Sequence, residues 1–371
     1  HTPRLSSAAS DVYKRQPVGG LIGMDKLLLV WALWALVGSV FRQDPTSTLE
    51  GHLGLVFNVC GSYFLFRTFL VTTDDVVRLY RILSFVLLPV ALEMLMEQFT
   101  MYNSFSALGG VGEVPFIREG SIRSQGPFGH PILAGTIGAV VLPVVVSLWR
   151  QYRKTCVVGI LACLIMIVTS ASSGPIMSAL FAIGALCMWP YRHRMRMLRW
   201  IALAGYVFLE LVMKAPAYYL IARIDIAGGS TGWHRARLIE SAFDHLGEWW
   251  LAGTDYTRHW MPTGVSWSRD HIDITNQYLF FGVAGGLPLM LLFIAVLCIG
   301  FSYVGQALQR TSQLPVAMQF GIWALGAALT AHAATCISVA FFDQSFVFLY
   351  MMLAASGTVA YADIDHMANE G

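Results

Sequence analysis

Ten apolar runs follow one another along this chain, each of a length that lets a helix cross a hydrocarbon core about 30 Å thick. They cover residues 25 to 41, 52 to 71, 82 to 99, 130 to 149, 155 to 170, 174 to 190, 199 to 215, 276 to 303, 316 to 338 and 345 to 362. Hydrophobic residues fill 56% of the 371 positions and charged ones 12%, which excludes an ordinary soluble fold. The expected fold is an all-α polytopic membrane protein of about ten transmembrane helices, a single transmembrane domain from residue 17 to residue 371. Residues 1 to 16, ending SSAASDVYKRQ, resemble a translated sequencing adapter and are set apart as non-native. All six cysteines lie inside the runs with no CxxC pair, which argues against disulfides and a thiolate metal site. No cluster of basic residues forms a nucleic-acid footprint.

Short loops rich in Arg and Lys mark the cytoplasmic side of a membrane protein. Arg150, Arg153 and Lys154 make one such loop, Arg192, Arg194, Arg196 and Arg199 another, and Arg78 and Arg81 a third. Alternating outward from these puts residues 100 to 129 and 216 to 275 outside and both termini in the cytoplasm. Ionisable residues within the runs are few, as their cost of about 2.5 to 3.5 kcal/mol at the bilayer centre requires. Glu93, Glu97 and His332 are expected toward the outer edge, lining a cavity open to the outside. Glu210 and Lys214 read as a snorkelling pair.

Residues 216 to 275 are the long polar interval, with five arginines, no lysine, seven carboxylates, four histidines and five of the eleven tryptophans. From His234 to Gly253, the residues Leu238, Ile239, Ala242, Phe243, Leu246, Trp249 and Trp250 recur at helical spacing. That spacing predicts an amphipathic helix against the membrane face. Arg235 falls in the middle of its apolar stripe. A guanidinium there is costly unless an anion or a carboxylate meets it, so either a structural ion pair or a ligand is expected. Arg237 shares the opposite face with Glu240, Ser241, Asp244 and Glu248, where solvation and carboxylate pairs account for it. Trp233, Trp249, Trp250, Trp260 and Trp267 are expected to anchor the segment at the membrane interface rather than to stack on a ligand.

Two further stretches combine turn chemistry with polar groups. In RSQGPFGHPILAG, from Arg123 to Gly135, the glycines and Pro127 shape a loop, His130 stands near a helix cap and Pro131 suits a first turn; Arg123 is left over. In DHIDITNQYLFFGVAGG, from Asp270 to Gly286, Asp273 or Thr275 is expected to cap a helix. There Gly282, Gly285 and Gly286 are expected to permit close packing.

In order and sidedness these segments resemble the O-antigen ligase and O-antigen polymerase superfamily of bacterial inner-membrane glycosyltransferases. The resemblance runs from about Leu27 to Tyr361. It rests first on RxxGxFxHP before a span (Arg123, Gly126, Phe128, His130, Pro131) and on an arginine opening an amphipathic helix in a large outer loop (Arg235). Its third part is a polar-Asn-x-Tyr-Leu approach to a Gly-rich span (Thr275, Asn276, Tyr278, Leu279, Gly285). The resemblance implies transfer of a glycan from an undecaprenyl-diphosphate carrier to an acceptor hydroxyl on the periplasmic face of the inner membrane. The acceptor would be a growing glycan or lipid A core, and neither a metal ion nor another cofactor is implied. A departing diphosphate gathers negative charge, so cations must wait where it develops, and the planar fork of arginine holds phosphate oxygens bidentately. Arg123, Arg235 and Arg237 are the expected diphosphate ligands. His271 is expected to take the acceptor's proton.

The chain departs from the family at that histidine. Relatives carry His-Asn directly before the x-Tyr-Leu segment, whereas Thr275 and Asn276 stand there here and His271 lies four residues earlier, in register if the segment is helical. If it is not helical, His130, His234, His245, His259 or Asp273 are the alternatives. The turn from Thr169 to Pro175 also lacks the arginine that relatives often place beside its serine. Members of the family have about twelve spans, so ten would fit an N-terminally shortened chain. Two competing readings are a transporter or flippase for glycolipid or a small solute, which would place charged or broken helices at the midplane, and a non-catalytic scaffold of an export assembly.

Overall fold

The computed structural model describes residues 20–223, 232–266 and 268–362. Residues 1 to 16 and Trp267 lie outside the described residues. Helices dominate: α1 (Gly23–Gly38), α2 (Pro45–Phe69), α3 (Thr73–Thr100), α4 (Pro131–Ser147), α5 (Arg153–Thr169), α6 (Ser173–Cys187), α7 (Met195–Val212), α8 (Gly232–Asp244), α9 (Leu246–Trp249), α10 (Gln277–Arg310), α11 (Val316–Thr335) and α12 (Phe346–Tyr361). The sheet among the described residues is one antiparallel hairpin, β1 (Phe116–Arg118) with β2 (Ser121–Arg123).

Each apolar run falls on a helix. Four of them, α1 with the turn that continues it, α3, α10 and α11, are long and apolar enough to cross a membrane. The pair Ser173–Cys187 and Trp189–Val212, bent by 72°, makes a fifth if it is one span. The helices α4 and α12 are apolar but short, at 17 and 16 residues. Membrane character is therefore carried by four or five helices on length and composition.

Buried α4 is the centre of the bundle and packs on α5, α6 and α11. Small residues allow the approach: a Cβ at Gly138 would stand 2.7 Å from the Cys163 carbonyl oxygen. At the other extreme, α7 buries none of its residues. Within α10 the helix breaks at Gly285 and Gly286, where φ of Gly286 is +77°. The chain after α9 fits into that break, since Leu287 donates its N–H to the Trp250 carbonyl at 2.8 Å and Thr254 donates to Val283 at 3.0 Å. A Cβ on Gly286 would lie 2.1 Å from the Leu251 carbonyl oxygen, so the expected close packing at these glycines is backbone against backbone.

Several expectations change. The amphipathic segment is two helices rather than one, with His245 at the corner, and Phe243 and Trp250 face out at 61% and 52% exposure. His332 lines no open cavity: it is fully buried inside α11, and both ring nitrogens lack a hydrogen-bond partner. Glu93 and Glu97 hold backbone instead. Glu93 accepts from Ser104 N–H at 2.6 Å, and Glu97 Oε2 accepts from the N–H groups of Gln125 and Gly126 at 3.0 Å each. Asn276, rather than Asp273 or Thr275, caps α10, with Oδ1 accepting from Leu279 N–H at 3.0 Å.

Candidate functional site

The hairpin is the foundation of the site. Its turn is Glu119-Gly120, both at positive φ (49° and 77°), the backbone that a two-residue hairpin favours. Pairing Phe116 with Arg123 and Arg118 with Ser121, together with the two-residue period of a strand, puts Phe116, Arg118 and Arg123 on one face. Arg118 carried no expectation from the sequence. Its signal was legible all the same: two arginines flanking an X-Gly turn at alternating positions.

The end of α3 fixes the strand that carries Arg123. Gln98 Nε2 donates to the Ile122 carbonyl, Ser124 Oγ and the Thr169 carbonyl at 3.0, 2.9 and 2.8 Å. Asn103 Nδ2 donates to the Gly126 carbonyl at 2.8 Å, and Gly126 sits at φ +55°. Arg123 itself is buried, and its Nη2 donates to Ser172 Oγ at 2.5 Å. Arg123 thus reaches the turn between α5 and α6.

Arg235 comes from the start of α8. It is 8% exposed, with Leu238 and Ala242 buried beneath it on the same helix face, and its Nε donates to the Ser338 carbonyl at 2.9 Å. Ser338 belongs to the turn joining α11 and α12, which also carries Asp343. That carboxylate accepts from Gly129 N–H at 2.7 Å while Gln344 Nε2 donates to the Pro127 carbonyl at 2.6 Å. One turn therefore braces both Arg235 and the loop after Arg123. Asn276 joins the same brace by donating from Nδ2 to the Ile337 carbonyl at 3.0 Å. Asp343 is the one carboxylate between Arg310 and Ala362, a signal the sequence offered and the reading above did not use.

The charges of these groups act on one another. Burial first, then the neighbouring charge of Arg118, lowers the proton affinity of both Arg123 and Arg235, and Asp273 partly offsets it at Arg235. Burial, Arg123 and Arg118 together take His130 down to about 4. Arginine does not release its proton at any relevant pH, so the effect registers as positive potential, which Asp273 offsets only in part and only at Arg235. Among the described residues none of Arg118, Arg123 and Arg235 has an ion-pair partner. His130 caps α4 through Nδ1, which accepts from Ile132 N–H at 3.1 Å, so its proton sits on Nε2 and it meets a ligand as a donor rather than a base.

The remaining expected residues divide. Arg237 pairs with Glu240, which also accepts from Tyr219 at 2.7 Å, so it is matched on the far face of α8 and stands apart from the trio. Residues 271 to 276 are not helical, which removes the register argument for His271. The segment is drawn out by Thr257, whose Oγ1 accepts from Ile272 N–H at 3.1 Å and whose own N–H donates to Asp270 at 2.9 Å. His271 Nδ1 lies 2.8 Å from Ser268 Oγ. Asp273 is exposed and within electrostatic reach of Arg235, while its carbonyl accepts from His234 Nε2 at 3.1 Å. No protein-family model matches the chain, and no curated protein matches it.

Proposed function

We propose that this chain is a bacterial inner-membrane glycosyltransferase that moves a glycan from an undecaprenyl-diphosphate carrier to an acceptor hydroxyl on the periplasmic face. The helices α1 to α7 and α10 to α12 are read as ten spans, with the hairpin, α8 and the turn around Ser338 at the periplasmic end. The single observation that supports the reading is the set of three arginines, two of them buried, with no ion-pair partner among the described residues. A buried cation without a partner is among the costliest arrangements in a protein, and a dianionic ligand removes that cost.

In this reading Arg118, Arg123 and Arg235 hold the diphosphate as the anomeric bond breaks, and His130 adds a neutral donor to the same charge. The acceptor's proton goes to the segment from His271 to Asp273. Asp273 takes first place there, because its charge bears on Arg235. The acceptor, lipid A core or growing glycan, is decided by complementation. Expression in a ligase-null and in a polymerase-null strain, with lipopolysaccharide resolved on a gel, restores long ladders in one of them; failure in both, with the protein present in the membrane, refutes the reading.

A further inference from the structure

We propose that His245, Glu248 and His259 form a binding site for a divalent ion of the zinc class at the corner between α8 and α9. It is independent of the glycan-transfer reading. The three side chains offer ligand atoms that all lie within 4.8 Å of one another. Two imidazoles and a carboxylate are a donor set that zinc accepts, at bond lengths of about 2.0 to 2.2 Å with a fourth position left to water. Ligand atoms of such a tetrahedron stand about 3.4 Å apart. The three close to that spacing by side-chain rotation, and Glu248 Oε1 is already 3.0 Å from His259 Nε2.

Second contacts orient each ligand. His245 Nδ1 lies 2.8 Å from the Ser241 carbonyl, which fixes the proton there and turns the Nε2 lone pair toward the other two groups. Trp260 stacks on the His245 ring with centroids 5.6 Å apart, and Tyr256 stacks on His259 at 5.1 Å. The Trp260 indole also donates to Glu248 Oε2 at 3.1 Å, leaving Oε1 facing the histidines. The donors come from the α8–α9 corner and from the turn Arg258–Trp260, so a bound ion ties the amphipathic pair to the loop that follows it.

The test is titration of Zn²⁺ into the full chain, purified in detergent without a polyhistidine tag and followed by calorimetry. Absorption of Co²⁺ in the same place is the second readout. The unmodified chain takes up about one equivalent and gives the intense visible bands of a four- or five-coordinate Co²⁺ ion. His245→Ala and Glu248→Gln each weaken uptake about tenfold or more and remove the bands, while His193→Ala, in the Arg-rich loop before α7, leaves both unchanged. Glu248→Gln keeps the side-chain shape and the acceptor for Trp260, so its loss of binding is not a loss of fold; monodisperse elution confirms that. Absence of saturable uptake, or uptake by both variants equal to that of the unmodified chain, overturns the proposal and leaves an adventitious ion only.

Discussion

Arg42 and Arg235 both turn their side chains away from solvent at the end of the bundle that carries the long polar interval, yet the protein treats them in opposite ways. Arg42, between α1 and α2, donates from Nε to Asp255 at 2.8 Å, from Nη1 to the Ala252 and Val283 carbonyls at 3.1 and 2.9 Å, and from Nη2 to the Thr254 carbonyl at 2.7 Å. Its Nη2 is also 2.6 Å from the Asp255 carboxylate. Every part of that guanidinium has work within the fold, and the result is a staple joining the first helices to the broken helix α10. Arg235 is fastened through Nε to Ser338, and among the described residues neither it nor Arg118 nor Arg123 has an ion-pair partner. The difference suggests how to tell a structural arginine from a candidate ligand-binding one: both side chains are shielded from solvent, and the fate of the charge differs.

Substitutions sharpen that contrast, and the largest effect is expected at the open arginines. Arg123→Gln or Arg235→Gln lowers glycan transfer by about 10²- to 10³-fold, as loss of one preorganised donor does, with the melting temperature in detergent little changed. Activity in both variants equal to that of the unmodified chain would erase the distinction. Arg42→Gln has the reverse profile, a loss of about 2 to 3 kcal/mol in stability, because Asp255 is left without its cation; thermal melting measures it. His130 gives a pH test. Its folded value of about 4 lies below the ordinary 6.5, so between those values the unfolded chain binds a proton that the folded chain refuses. Stability is complete above pH 6.5 and declines as pH falls, by about 2 kcal/mol at pH 5, and His130→Asn, which keeps a capping oxygen, flattens that acid limb of the melting curve. Asp343→Ala costs about 1 to 2 kcal/mol through the orphaned Gly129 and Ser345 N–H groups. Arg237→Gln is the smallest, with the melting temperature and transfer both essentially unchanged, because its pair with Glu240 is exposed.

Much of this molecule was legible in its apolar pattern. All ten runs lie on helices because backbone in an apolar setting has few other ways to satisfy itself, and Arg235 is buried where helical spacing put it. His130 and Pro131 open α4 as their turn chemistry predicts. What the spacing did not carry was the third dimension. Arg118 joins Arg123 only through hairpin register, and the turn from Cys336 to Ser345 braces Arg235 and the loop at Pro127 from more than a hundred residues away in the case of Ser338. Helical spacing continued past His245 also misjudged Trp250, since the chain turns there to enter the break in α10, while Phe243 faces out within α8 itself. His271 was placed by assuming helix in a segment that Thr257 holds extended.

The central claim is that Arg118, Arg123 and Arg235 form an open site for a polyprenyl diphosphate. Calorimetric binding of undecaprenyl diphosphate to the purified full chain, compared with an Arg123→Gln/Arg235→Gln double variant of unchanged melting temperature, tests it most directly. Saturable binding by the unmodified chain that falls by about 100-fold or more in the double variant is the predicted result. Equal affinity in the two proteins, or no binding to either, contradicts it.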